Sequence, residues 1–240
     1  MVEKNFVVFG QGRSGSNLLR SLLNSHPNIF IDGELFGSQR LEKFSWLKKM
    51  EIKTLPIKYI NYRRVIANAD IYGFKMFVFH HFFSGRIVKT LYRTGWKIIY
   101  LQRRNVLKQA FSGLIGQQNK IYMRQAKTNA SIETIQINPA NVVSAIKFRN
   151  YNNVVAQRTL KNIPFMEIIY EDDLKNMNAW QETTGKIFRL LEIEPVVVTT
   201  NLVVTDPRPD WERIENFEEI IRFLNETGYS KVVEDYYKYL

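Results

Sequence analysis

Apolar positions along the chain fall into short blocks of two kinds. Asn5 to Phe9, Ile29 to Ile31, Ile71 to Val78, Lys97 to Leu101 and Phe165 to Tyr170 are brief runs rich in branched and aromatic residues. Runs of that length and content read as buried strands. Between them the spacing becomes helical. Leu18, Leu19, Leu22 and Leu23 fall on one side of a helix from Gly15 to Asn24, which His26-Pro27 ends. Leu107, Phe111, Leu114 and Ile115 form a stripe on a helix starting near Asn105, and this stripe is expected to pack on the sheet. A long helix is expected around Asn141 to Leu160. Beyond Asp173 the chain reads as mostly helical, with a loop from about Pro195 to Asp210. Strands alternating with helices imply an α/β fold of three layers, a central, mainly parallel sheet with helices on both faces. Ligands of such sheets bind beyond the carboxyl ends of the strands, so the residues that follow each strand are where chemistry is expected.

Composition narrows the class. The 240 residues suit a single domain spanning 1–240, and the 45% of hydrophobic residues is ample for a core. The absence of cysteine excludes disulfides and thiolate metal sites and fits a reducing compartment. The start has no signal-peptide pattern, and no apolar run approaches the roughly 18 residues that span a bilayer, so a cytoplasmic location is expected. The formal charge of +11 points to an anionic partner: nucleic acid, a polyphosphorylated cofactor, or an anionic glycan or lipid. There is no RNP-like aromatic motif, zinc motif or evident helix-turn-helix signature, so no specific nucleic-acid partner is expected.

The first strand runs into Gly10-Gln11-Gly12-Arg13-Ser14-Gly15-Ser16-Asn17 and then a helix. A glycine-bearing loop that enters a helix gathers N–H groups and the positive end of the helix dipole around one point. Arg13 adds a planar, permanently charged donor and Ser16 a hydroxyl. The alternative is an ordinary glycine-rich turn. Gly10 and Gly15 have the spacing of a nucleoside-triphosphate loop, yet Ser16-Asn17 replaces its Lys-Ser/Thr. That removes the phosphate lysine and the Mg²⁺ hydroxyl, and leaves a P-loop-like site for an anion that needs no metal. A nucleotide kinase or NTPase remains the rival reading.

Arg13-Ser14-Gly15-Ser16-Asn17 resembles the 5'-phosphosulfate loop of the sulfotransferase family, with Asn17 where Ser or Thr is usual. A second stretch supports the resemblance. Arg104-Asn105, directly after the fourth strand, with Ser112 eight residues beyond the arginine, is similar to that family's 3'-phosphate motif; Arg103 reads as surface charge. Tyr170-Glu171-Asp172-Asp173-Leu174 resembles a third family segment, whose tyrosine lies near the adenine. The resemblance implies the sulfotransferase fold. It implies 3'-phosphoadenosine-5'-phosphosulfate (PAPS) as donor, PAP as product and no metal. It assigns the nucleotide to Gly12, Arg13, Ser14, Gly15, Ser16, Asn17, Arg104, Ser112 and Tyr170. A relative that binds PAP without catalysis is the other alternative.

Sulfuryl transfer requires a base for the acceptor's proton and positive charge at the departing phosphate. Arg13 suits the second task. Glu34, shortly after His26-Pro27, suits the first, and the resemblance to carbohydrate and tyrosylprotein sulfotransferases supports it. His80 or His81 is the other candidate. Lys75 is read either as a sulfonate contact or as a residue at a sheet edge. The acceptor is expected to be a carbohydrate or glycolipid hydroxyl, with a tyrosine in a peptide left open. Gln117 to Tyr122 is a candidate lining for its cleft.

Overall fold

The computed structural model describes residues 4–119, 124–125, 133–203 and 207–240. In chain order the elements are β1 (Phe6–Gly10), α1 (Ser16–Leu23), β2 (Ile29–Glu34), α2 (Ser38–Leu41), α3 (Trp46–Thr54), α4 (Pro56–Ala67) and β3 (Ile71–Phe77). Then come α5 (Ser84–Arg93), β4 (Lys97–Gln102), α6 (Val106–Asn119), β5 (Arg124–Gln125), α7 (Pro139–Leu160) and β6 (Met166–Ile169). The chain ends with α8 (Trp180–Leu190), β7 (Leu202–Val203), α9 (Asp210–Arg213), α10 (Phe217–Glu226) and α11 (Ser230–Lys238). A single π-helical turn, Tyr170–Leu174, follows β6. The contacts divide the chain into two compact units: residues 1–102 with 152–200, and residues 103–151 with 201–240.

The first unit is a parallel sheet in the order β2-β3-β1-β4-β6, with apolar cores on both faces. Alternation along β1 creates them. Val7 and Phe9 join Ile52, Tyr59, Ile60, Ile87, Val88, Leu91 and Leu160 from α3, α4, α5 and the end of α7. Phe6 and Val8 join Leu19, Leu22, Leu23, Ile187 and Phe188 from α1 and α8. Burial on both sides is what makes these strands read as unbroken apolar runs. Because β3 lies between β2 and β1, Lys75 is on an inner strand, and the sheet-edge reading of it is corrected.

The second unit has its own core. Leu107, Phe111 and Ile115 pack there with Ile135, Ile137, Val142, Ile146, Ile214, Phe217, Ile220, Leu224 and Tyr236. The α6 stripe therefore serves a helical core, and the expectation that it packs on the sheet is corrected. A stripe shows that a helix has a partner, without showing which one. The loop from about Pro195 to Asp210 contains β7, paired antiparallel with β5.

Candidate active site

The loop between β1 and α1 has a constrained backbone. Arg13 has φ 63° and Gly15 has φ 87°, both in the left-handed region. The Tyr170 ring lies against the Gly15 backbone, so a Cβ there would collide with it. Gly15 thus meets two demands at once, a positive φ and a close neighbour. The buried Ser14 hydroxyl donates to the Gln11 carbonyl at 2.7 Å, bracing the loop from within. Gln11 donates in turn to Asn153 Oδ1 at 2.6 Å. Gly15 caps α1 without a side-chain bond. By helix geometry the first-turn N–H groups of Ser16, Asn17 and Leu18 have no acceptor within the helix. They open toward the loop, where the helix dipole is positive.

Glu34 owes its position to an irregularity in β2. Asp32 pairs with Phe74 of β3, and Glu34 pairs with Lys75, so Gly33 is an extra residue. In a regular strand Asp32 and Glu34 would share a face. The bulge separates them. Asp32 takes the face of Tyr72 and Phe74, and Glu34 takes that of Lys75, toward α1. There Lys75 Nζ lies 3.4 Å from Glu34 Oε1, and His80 Nε2 lies 3.4 Å from Glu34 Oε2. Lys75 also donates to Asn17 Oδ1 at 2.5 Å. The Asn17 carbonyl therefore faces the lysine, which orients its Nδ2 donor the other way. His80 Nδ1 accepts from the Phe77 backbone N–H at 3.2 Å. That bond assigns the proton to Nε2, which faces the carboxylate.

Electrostatics separates these groups. Burial alone would raise the Glu34 carboxyl; the His80 hydrogen bond and the Lys75 charge outweigh it and hold the group below the ordinary carboxylate range. Burial pushes the Lys75 ammonium down, against the pull of Glu34, and the charge of Arg20 pushes the same way as burial. The Lys75 and His80 side chains are only 3% and 6% exposed, whereas that of Glu34 is 38% exposed. Of the three, the carboxylate is by far the most open to solvent.

Several supports were not foreseen in the sequence. Buried Asp32 accepts from Arg63 Nε at 3.0 Å, Arg63 Nη2 at 2.8 Å, Arg40 Nη2 at 2.5 Å and the Tyr72 hydroxyl at 3.3 Å. Burial alone would raise the Asp32 carboxyl, but Arg63 and Arg40 more than reverse this and lower it. Arg20 Nε donates to the Ile31 carbonyl at 3.1 Å, tying α1 to β2. The available signal was an acid at the end of an apolar strand, which needs cations when buried. His81 is set apart from the cluster. Its Nδ1 accepts from Phe83 N and its Nε2 lies 2.9 Å from the Lys53 carbonyl. Both ring nitrogens are engaged by the backbone, and the base reading narrows to Glu34 and His80.

At the end of β6, Asp173 Oδ2 accepts from the Ile169 N–H at 2.7 Å and Thr183 donates to the Asp173 carbonyl, so this acid braces the turn that carries Tyr170. In the second unit, buried Asn105 caps α6 by accepting from Lys108 N at 2.9 Å, and its amide donates to the Tyr236 carbonyl at 2.9 Å. Exposed Arg104 precedes this cap, with its guanidinium carbon 5.9 Å from the Tyr239 ring centre. Ser112 is half-buried two turns into α6, and Arg103 is half-buried too. Gln117 to Asn119 end α6; Lys120, Ile121 and Tyr122 lie outside the described residues. Among the described residues, no group of three or more His, Asp and Glu is arranged to hold a metal ion.

No family model and no curated protein matches the chain. Solved structures do. A sulfotransferase from Alicyclobacillus acidocaldarius superposes with a TM-score of 0.53 at 16% identity, over 97% of this chain and 93% of that one. The mouse sulfotransferase SULT7A1 complexed with PAP gives 0.49 at 14% identity, over 92% of this chain and 65% of that one. With its parallel sheet covered by helices on both faces, and a similarity to the bacterial enzyme over nearly its whole length, the chain has the sulfotransferase fold.

Proposed function

We propose that this protein is a PAPS-dependent sulfotransferase, transferring a sulfuryl group to a hydroxyl of a carbohydrate or glycolipid. One observation carries the reading: a solvent-open carboxylate, Glu34, held between Lys75 and His80, with Lys75 bonded to the first turn of α1. The residues suit such a donor. First-turn N–H groups, the Asn17 amide and Lys75 supply neutral and positive donors at a helix start. Arg13 adds a fixed charge, and Gly15 presents bare backbone beside Tyr170. Arg104 and Ser112 are assigned to the 3'-phosphate on the strength of their motif.

When bound, PAPS supplies an activated sulfuryl group whose sulfur accepts a nucleophile. Glu34 takes the proton of the acceptor hydroxyl as its oxygen bonds to sulfur. The sulfur–oxygen bond to the 5'-phosphate breaks, and its electron pair leaves with PAP. Arg13 and Lys75 offset the charge that develops on the oxygens. His80 keeps its proton on Nε2 and holds the carboxylate in place. Glu34→Gln keeps the shape and removes the base. Turnover with labelled PAPS is expected to fall about 10²- to 10⁴-fold, while PAP affinity by calorimetry is unchanged. Near-normal turnover in this variant would remove Glu34 from the chemistry, and failure of the parent protein to bind PAP would remove the proposal as a whole.

A further inference from the structure

Beside the residues it gives to the core, the α3–α4 pair carries apolar residues on a second, outward side. Within α3 the buried residue is Ile52, and Trp46, Leu47 and Met50 project from the opposite side. Trp46 is 71% exposed and Leu47 72%. In α4 the buried residues are Tyr59 and Ile60, while Tyr62, Val65 and Ile66 are exposed, with Val65 at 68%. These three are spaced three and four apart or adjacent, so they share a face. Leu55, also exposed, joins the two helices. The exposed faces meet along an ion-paired seam: Glu51 of α3 binds Lys48 at 2.8 Å and Lys58 of α4 at 3.2 Å.

The charge around this surface has one sign. Residues 42–67 contain seven Lys and Arg against two Glu, with Lys43, Lys53 and Lys58 exposed among the apolar side chains. We propose that the α3–α4 face docks on an anionic lipid bilayer, lying in the headgroup layer without crossing it. Trp46 and Tyr62 have the apolar body and polar tip that suit that layer. Lysine stems lie along apolar surface while their ammonium groups reach phosphates. Lysine is depleted at protein–protein interfaces and enriched on interfacial helices, which favours lipid over a second copy as the occupant. The chain's overall charge of +11 draws it toward the same surface. Among the described residues no helix is long and apolar enough to span a membrane.

The test is co-sedimentation of the full chain with phosphatidylcholine vesicles, with and without phosphatidylglycerol. Binding is expected to the anionic vesicles and to weaken with salt. The pairs Leu47→Ser with Val65→Ser, and Lys43→Glu with Lys53→Glu, are each expected to lower the partition coefficient about tenfold or more. Their melting temperatures should match the parent, because all four side chains point to solvent. Protein left in the supernatant with anionic vesicles, or variants that bind like the parent, would overturn the proposal. So would a dimer in sedimentation velocity that the Leu47→Ser, Val65→Ser pair dissolves, since the face would then belong to a second copy. Docking stands apart from the transfer chemistry, and PAP calorimetry on the same variants reads the latter separately.

Discussion

Burial works against a negative charge at Glu34, and two neighbours reverse it. Each carboxylate oxygen has its own partner, Lys75 at Oε1 and His80 at Oε2. Such a group is ionised across the neutral range and so is always ready to accept a proton, though its affinity for that proton is modest. The sign of a Lys75→Met change follows. Loss of the ammonium leaves burial less opposed, so the carboxyl pKa rises. The base works only when ionised, so the acidic limb of kcat/KM is expected to move to higher pH. The reading is a pH–rate profile against PAPS and the acceptor. A limb that stays in place while kcat falls would mean that Lys75 acts on the donor alone and does not tune the base. Glu34, His80 and Asn17 could each be singled out in the sequence, because each follows a strand or a glycine loop, and Lys75 because it is a charge inside an apolar strand. Arg40, Arg63 and Tyr72 could not. They converge on Asp32 from positions 8, 31 and 40 residues away in the chain. Nothing local marks such a convergence.

At the scale of elements, the decisive feature is one residue out of register. Gly33 makes the β2 bulge, and the bulge is what turns Glu34 to the Lys75 side while Asp32 stays with Tyr72. Inserting one alanine between Gly33 and Glu34 shifts the register by one residue and would carry Glu34 to the Asp32 face, opposite Met76. Turnover is then expected to fall to the level of Glu34→Gln, with the sheet intact by circular dichroism. Wild-type turnover would show that the register is not what positions the base. The bulge is illegible in sequence because Ile-Asp-Gly-Glu reads equally well as a strand end followed by a turn. The helices α3 and α4 were also missed, for a different reason. Their apolar residues lie on both sides, buried at Ile52, Tyr59 and Ile60 and exposed at Trp46, Leu47, Tyr62 and Val65. Two apolar faces cancel the periodicity that reveals a helix. By contrast β1, β3, β4, α1, α6 and α7 were legible, because each buries one continuous run or a single stripe. The partner of α6 was not, since its stripe fits a sheet and a helical core equally well.

Across the whole molecule, each unit holds one acid within a cluster of cations and a tyrosine. In the first unit this is Asp32 with Arg40, Arg63 and Tyr72. In the second it is Asp210, fully buried, with Lys108 at 2.8 Å, Arg213, and the Tyr236 hydroxyl at 2.9 Å. Both carboxylates are buried, and a buried charge is tolerated only when it is paired and hydrogen-bonded, so each gathers several partners. The second cluster bears on the motif at the start of α6. Lys108 lies in the first turn of that helix, its N–H bonded to Asn105, which in turn holds the Tyr236 carbonyl. Burial pushes the Lys108 ammonium down, and Asp210 is what opposes this. Asp210→Asn keeps the volume but leaves buried Arg213 and half-buried Lys108 without their counter-charge. Removing one partner of a buried ion pair costs about 3–5 kcal/mol. The urea midpoint is expected to fall accordingly. A second change, Lys108→Met, takes away one stranded cation and is expected to recover part of the loss. A single variant within about 1 kcal/mol of the parent would show a cluster that specifies geometry without stabilising the fold. A double variant no better than the single would place the cost on Arg213 and Tyr236 instead.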